Sequence, residues 1–163
     1  MLKIKRQIGY CSLHTKLRMI IFPGEGCKAT ASRYWEKKDV DYRDLLNTKG
    51  YWNAGAHSYT GSPQWVEIDL GAEYAISFIT LIVSQLPDGH THHIISGRTE
   101  NGDTTIISVI NKETVNAERI EIQVEPILTR YIKIETKESP SWIAWDGITI
   151  GNHSSQKVKS ARK

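Results

Sequence analysis

Over much of its length this chain sets apolar residues at every second position, and that period of two limits most sharply what it can fold into. Val66, Ile68 and Leu70 alternate with Glu67 and Asp69, and Ile120, Ile122 and Val124 alternate with Glu121, Gln123 and Glu125. Ile132 and Ile134 flank Lys133, and Ile148 and Ile150 close the series. Successive side chains of an extended backbone point to opposite faces, so each stretch reads as a strand with one face in a core. Residues 76–83 form a near-continuous apolar run rich in β-branched side chains, as a central strand requires, and Ile106, Ile107 and Val109 mark another strand. Turn formers separate the runs at Asp88-Gly89, Asn101-Gly102-Asp103, Pro126, Ser139-Pro140 and Asp146-Gly147. This spacing predicts an all-β protein, an antiparallel sandwich or barrel. Parallel strands would need helical crossovers, and only residues 39–46 read as a helical turn.

A chain of 163 residues suits one domain with a full core. No apolar run approaches the roughly 20 residues that span a bilayer; the best, Met19-Ile20-Ile21-Phe22, is far too short. The net charge of +3 hides a division along the chain. Residues 1–27 carry five basic residues against one acidic, residues 28–151 carry twelve against seventeen, and residues 152–163 carry four against none. An acidic body with basic ends argues against nucleic acid as a partner, because phosphate neutralisation needs a basic face. The ends are either solvated or add a weak, salt-sensitive attraction to an anionic surface. Cys11 and Cys27 fit no zinc spacing, and both a mutual disulfide and a reduced pair are allowed. No long apolar segment followed by a cleavage site reads as a signal peptide, so the chain is either a mature or excised form or cytosolic.

Several stretches, taken in order, point to a family. These are Ala29-Thr30-Ala31-Ser32, Trp52, Gln64-Trp65-Val66-Glu67-Ile68-Asp69-Leu70-Gly71, the turn Asn101-Gly102-Asp103, Arg130-Tyr131-Ile132-Lys133-Ile134 and Trp145-Asp146-Gly147-Ile148-Thr149-Ile150-Gly151. Together they resemble the discoidin family, also called the coagulation factor type C domains. The resemblance implies an antiparallel jelly-roll β-sandwich of the galactose-binding-domain-like kind over residues 29–151. Residues 1–28 become an N-terminal extension, which either adds an edge strand at Leu17–Phe22 or stays flexible, and residues 152–163 a basic polar tail. Members of this family bind glycans, phospholipid membranes or proteins, and are not enzymes. His57 and Asp69 form no nucleophile–base–orienter set with a serine, in keeping with that. The resemblance also implies an extracellular or cell-surface location, although a cytoplasmic one stays open without a visible signal peptide.

In this family the loops at one end of the sandwich bind the ligand. Sugar recognition combines an aromatic platform with planar polar groups that bond hydroxyls. Arg33-Tyr34-Trp35, residues 84–93 and residues 138–142 supply such groups, with His57 and Tyr59 in a neighbouring loop. The candidate ligand-binding residues are therefore Tyr34, Trp35, His57, Tyr59, Gln85, Asp88, His90, His92 and Trp142. Trp142 leads, because a tryptophan directly after Pro140 and Ser141 in a turn is oddly placed for a core residue. Trp52, Trp65 and Trp145 read as packing residues. Gln85 stands near the position where many galactose-binding relatives have arginine, which weakens a galactose preference. His90 and His92 share one face of an extended segment, but three histidines without a cysteine or fixed carboxylate do not define a transition-metal site. They read instead as groups that line the loop or bond sugar hydroxyls.

No cofactor is required. The resemblance implies a structural calcium in some relatives, and the matching positions here are Asn47, Thr48 and Asp146. The aspartate expected in that loop is missing and Lys49 adds a positive charge, whereas calcium takes about six to eight oxygens. Asp146 pairing with a basic residue, or capping the turn at Gly147, is the competing reading. The sequence thus predicts a non-catalytic carbohydrate-binding module. A phospholipid-membrane or protein-binding adhesion domain is the alternative, in which Tyr34, Trp35, Leu86 and Trp142 would meet a bilayer.

Overall fold

The computed structural model describes residues 17–22, 26–35, 51–57 and 62–154, with the backbone alone at 17–22, 57 and 154. Eight strands follow one another: β1 (Leu17–Phe22), β2 (Lys28–Ala31), β3 (Trp52–His57), β4 (Gln64–Ser84), β5 (Gly89–Arg98), β6 (Thr104–Thr114), β7 (Arg119–Glu138) and β8 (Trp142–Ser154). They hydrogen-bond in the order β1-β8-β4-β7-β5-β6, with β2 added along β4 and β3 along β8, and every pairing is antiparallel. No helix occurs among the described residues. The protein is an all-β antiparallel sandwich.

Two long strands build both layers. The first half of β4 pairs with β2 and with the second half of β7, whereas its second half pairs with β8 and with the first half of β7. Register shifts between Asp69 and Tyr74, and between Ile76 and Phe78, mark where the ribbon turns the corner. The sequence predicted separate strands on either side of Pro126. Instead, β7 runs through Pro126 as a single strand, because a bent ribbon that changes sheets tolerates a missing N–H at its bend. The Leu17–Phe22 segment lies along β8 as an edge strand. The helical turn expected at residues 39–46 falls outside the described residues.

The family-like stretches are cross-strand partners. Val66 faces Ile134 and Ile68 faces Ile132 across β4 and β7, and all four are fully buried. On the outer face, Arg130 grips Asp69 with two hydrogen bonds, at 2.8 and 3.1 Å, and reaches Glu100 at 2.9 Å. The Arg130 guanidinium thereby holds the Asp69 carboxyl below the usual carboxylate range. Tyr131 lies beneath the Arg98 guanidinium, 3.9 Å from its ring centroid. Trp52 and Trp145 pair across β3 and β8 inside the core, as packing residues should. Trp65 does not join them. It shares the outward parity of Glu67 and Asp69, lies half-buried, and is covered by the Lys133 ammonium 5.2 Å above its ring.

Candidate functional site

At one end of the sandwich, the turn of residues 139–141 is braced from several sides and leads into Trp142. Trp142 is the first residue of β8 and not a turn residue as its sequence context suggested. The Ser141 N–H donates to Ser139 Oγ at 3.2 Å, and Ser141 Oγ accepts from the Leu86 N–H at 2.9 Å. Gly89 packs so closely on Pro140 that a Cβ there would lie 3.0 Å from Pro140 Cγ. The β4–β5 loop is in turn tied to β6. Gln85 Nε2 donates to the Thr114 carbonyl at 2.6 Å, and Thr114 Oγ1 donates back to Gln85 Oε1 at 2.9 Å. Gln85 is 3% exposed, so its amide is committed to holding the loop.

A second wall comes from the segment after β2. The Trp35 N–H donates to the Asn53 carbonyl at 2.9 Å, and Trp52 Nε1 donates to the Arg33 carbonyl at 3.1 Å, so this segment runs along β3. Tyr34 packs inward on the core, while Trp35 turns outward and is 56% exposed. Its ring rests on Gly55, where φ is +62° and a Cβ would stand 2.2 Å from Trp35 Cε3. Asn53 Oδ1 accepts the Gly55 N–H at 2.6 Å, and Asn53 Nδ2 donates to the Tyr51 hydroxyl at 2.8 Å.

Trp35 and Trp142 frame one groove of about 340 Å³, floored by Asn53, Gly55 and Ala56. That volume falls within the roughly 300–1,000 Å³ of small-molecule sites. The walls are mostly apolar, with the Asn53 amide as the polar side chain among the lining residues. His57 is the cross-strand backbone partner of Trp142 and so sits beside the groove. A second concavity, about 330 Å³, lies on the outer sheet face between Glu67, Arg98, Tyr131 and Lys133. Its cations already have partners, Arg98 with Glu67 at 3.1 Å and Lys133 with Glu135 at 2.7 Å.

Behind Trp142 lies a smaller space of about 10 Å³ whose wall includes His93, Trp142, Trp145, Ser84 and Ser139. His93 is 3% exposed, its Nδ1 is 2.8 Å from Thr136 Oγ1, and its ring lies 4.9 Å from that of Trp145. Burial pushes the imidazole down to about 4, and the charge of neighbouring His92 adds to the shift. His93 Nε2, Trp142 Nε1 and Trp145 Nε1 are all buried without a protein partner.

Of the sequence-predicted residues, the structure brings Trp35 and Trp142 together and sets the backbone of His57 beside them. Tyr34 and Gln85 turn inward. His90 is exposed and His92 half-buried on β5, with parity opposite to His93. Asp88 is exposed, and its Oδ1 accepts the Asn116 N–H at 2.8 Å. Tyr59, Asn47 and Thr48 lie outside the described residues, as does Cys11, while Asp146 is half-buried on β8. Cys27 is buried, its Sγ 3.7 Å from the Leu70 carbonyl. Among the described residues no group of three or more His, Cys, Asp or Glu side chains is placed to hold a metal. Sequence reasoning missed Asn53, Gly55 and Ala56, and it read His93 with the other histidines as a loop or hydroxyl-bonding group, whereas His93 is buried on β5. Alternation could have corrected that reading, since it sends His93 to the face opposite His92.

Comparison with known proteins agrees with this architecture. The family model described as "F5/8 type C domain" matches residues 28–150. No curated protein matches the chain. Among solved structures, a family 32 CBM from C. perfringens NanJ, in complex with galactose, superposes with a TM-score of 0.66 at 17% identity, covering 83% of this chain and 100% of that one. CpGH89CBM32-5 from Clostridium perfringens, in complex with GalNAc-β-1,3-galactose, gives 0.61 at 14% identity, covering 77% and 94%. The CBM32 of AlyQ, in complex with 4,5-unsaturated mannuronic acid, gives 0.55 at 17% identity, covering 76% and 92%.

Proposed function

Because this chain belongs to the F5/8 type C domain family, we propose that it is a non-catalytic carbohydrate-binding module that holds a glycan in the Trp35–Trp142 groove. One observation carries the reading: two tryptophans from distant segments face a single groove at the loop end of the sandwich. An indole packs against the C–H face of a pyranose, and two facing indoles suit a sugar presented edge-on or at a chain end. With Gln85 sealed against Thr114 and Asn53 the polar side chain of the wall, stacking outweighs hydroxyl readout. Affinity is therefore weak, and a strict galactose preference is disfavoured. Glycans accessible to such a module lie outside cells or on their surfaces, and we place the protein there.

Titration with galactose, GalNAc-β-1,3-galactose and unsaturated mannuronic acid, preceded by a glycan array, tests the proposal. Binding at up to millimolar Kd, abolished by Trp142→Ala with the circular dichroism spectrum unchanged, supports it. An empty array together with flat titrations at tens of millimolar sugar refutes it.

A second reading rests on exposure. Leu86 is 68% and Trp35 56% exposed, and Leu86 is tied through Ser141 to the Trp142 turn, so apolar side chains protrude at the same end. Sedimentation with phosphatidylserine vesicles distinguishes membrane insertion from glycan binding. Asp88 and Glu138 beside these loops weigh against an anionic bilayer.

A further inference from the structure

The small space behind Trp142 poses a hydrogen-bonding problem with one tidy solution. Three nitrogens on residues of its wall, His93 Nε2, Trp142 Nε1 and Trp145 Nε1, are buried without a protein partner. Buried polar groups in folded proteins nearly always have a partner, and leaving one unmet costs on the scale of the whole hydrogen bond. The space measures about 10 Å³, close to the roughly 10–15 Å³ that one water needs. An indole can only donate, so two of the three nitrogens are fixed donors.

We propose that these three side chains share one internal water, and that through it His93 acts as a positioning residue for the Trp142 wall of the groove. The water accepts from the two indole N–H groups with its two lone pairs. One of its protons goes to His93 Nε2, and the other faces the polar part of the wall, Ser84 and Ser139. This count also sets the histidine tautomer. If Nε2 carried the proton, three donors would converge on two lone pairs. The proton therefore resides on Nδ1, which donates to Thr136 Oγ1 across the 2.8 Å contact. Thr136 is fully buried, so the imidazole is anchored at both nitrogens. Trp142 is thus held at its polar edge by the core while its ring faces the groove.

The functional half of this inference rests on the glycan-binding reading; the water itself does not, and the test separates them. His93→Phe keeps a ring against Trp145 but removes the acceptor, and His93→Gln keeps an acceptor. In ¹⁵N-labelled protein without sugar, the Trp142 and Trp145 indole protons should show cross-peaks to a long-lived water. These should vanish in His93→Phe and return in His93→Gln, with thermal unfolding confirming that both variants fold. With galactose as probe, His93→Phe should bind about tenfold more weakly and His93→Gln within threefold of wild type. Absent water cross-peaks in the wild type, or indole resonances unmoved in folded His93→Phe, overturn the shared water. Cross-peaks that behave as expected while His93→Phe binds galactose like wild type overturn the positioning role alone. If galactose does not bind even the wild type, the cross-peaks still decide the water, and the failure belongs to the proposed ligand.

Discussion

Gly55→Ala tests the groove at its narrowest tolerance. The added methyl would lie 2.2 Å from Trp35 Cε3, so the ring must retreat by more than 1 Å to regain the 3.4 Å of ordinary contact. The backbone there has φ of +62°, a conformation that costs an L-residue with a Cβ about 1–2 kcal/mol. For a chain of this length that lowers Tm by about 2–8 °C, leaving the fold intact. A tryptophan wall in a binding site commonly contributes about 2 kcal/mol, so displacing it should weaken sugar binding by about 10- to 30-fold. Calorimetry with whichever sugar titrates gives the affinity, and differential scanning calorimetry on the same sample gives the fold. Trp35→Ala serves as the reference, because it removes the wall without straining the backbone. If Gly55→Ala binds like wild type while Trp35→Ala does not, the ring moves freely off Gly55 and the close-approach argument fails. If both bind like wild type, Trp35 is no wall at all.

Arg130→Ala should lower the urea unfolding midpoint, since it strips Asp69 of a bidentate charged partner, yet leave sugar binding within twofold by titration. Acid should act through His93, whose imidazole is held near 4 in the fold against 6.5 when free. Its contribution is complete above pH 6.5 and is lost as pH falls toward 4, the loss reaching about 3 kcal/mol there. Urea unfolding across that window should show the decline, and His93→Phe should flatten it; a parallel slope in both proteins refutes the assignment. If Asn47, Thr48 and Asp146 hold a structural calcium, chelation with EDTA lowers Tm by several degrees and added calcium restores it. An unchanged Tm removes that proposal.

What the sequence made legible is what alternation encodes. A period of two fixes which residues of a strand share a face, so the buried set Val66, Ile68, Leu70, Ile132 and Ile134 could be read directly. The same parity places Trp65 outward, against the reading of it as a core residue. Gln85 is a different case, since no local pattern reveals that Thr114, far along the chain, takes up its amide. Trp35 and Trp142 were visible as aromatics in loops, but the floor between them was not. Gly55 looks like any strand glycine until a ring from another segment is laid on it, and Asn53 gains meaning only through its bond to the Gly55 N–H. Such features depend on contacts between segments, and alternation carries no information about those.

The passage of β4 and β7 through both layers has a consequence for how this protein comes apart. Neither sheet can detach without breaking strands that the other still needs, so the two layers open as one cooperative unit. Amides at both ends of β4 and β7 should exchange with solvent at a common, slow rate, while those of the β4–β5 connection exchange independently and faster. Most of the groove belongs to that frame: Asn53, Gly55 and Ala56 lie on β3 and Trp142 opens β8, while Trp35 alone comes from a connecting segment. The Trp35 wall can therefore be redrawn at little risk to the frame, whereas the floor and the Trp142 wall cannot.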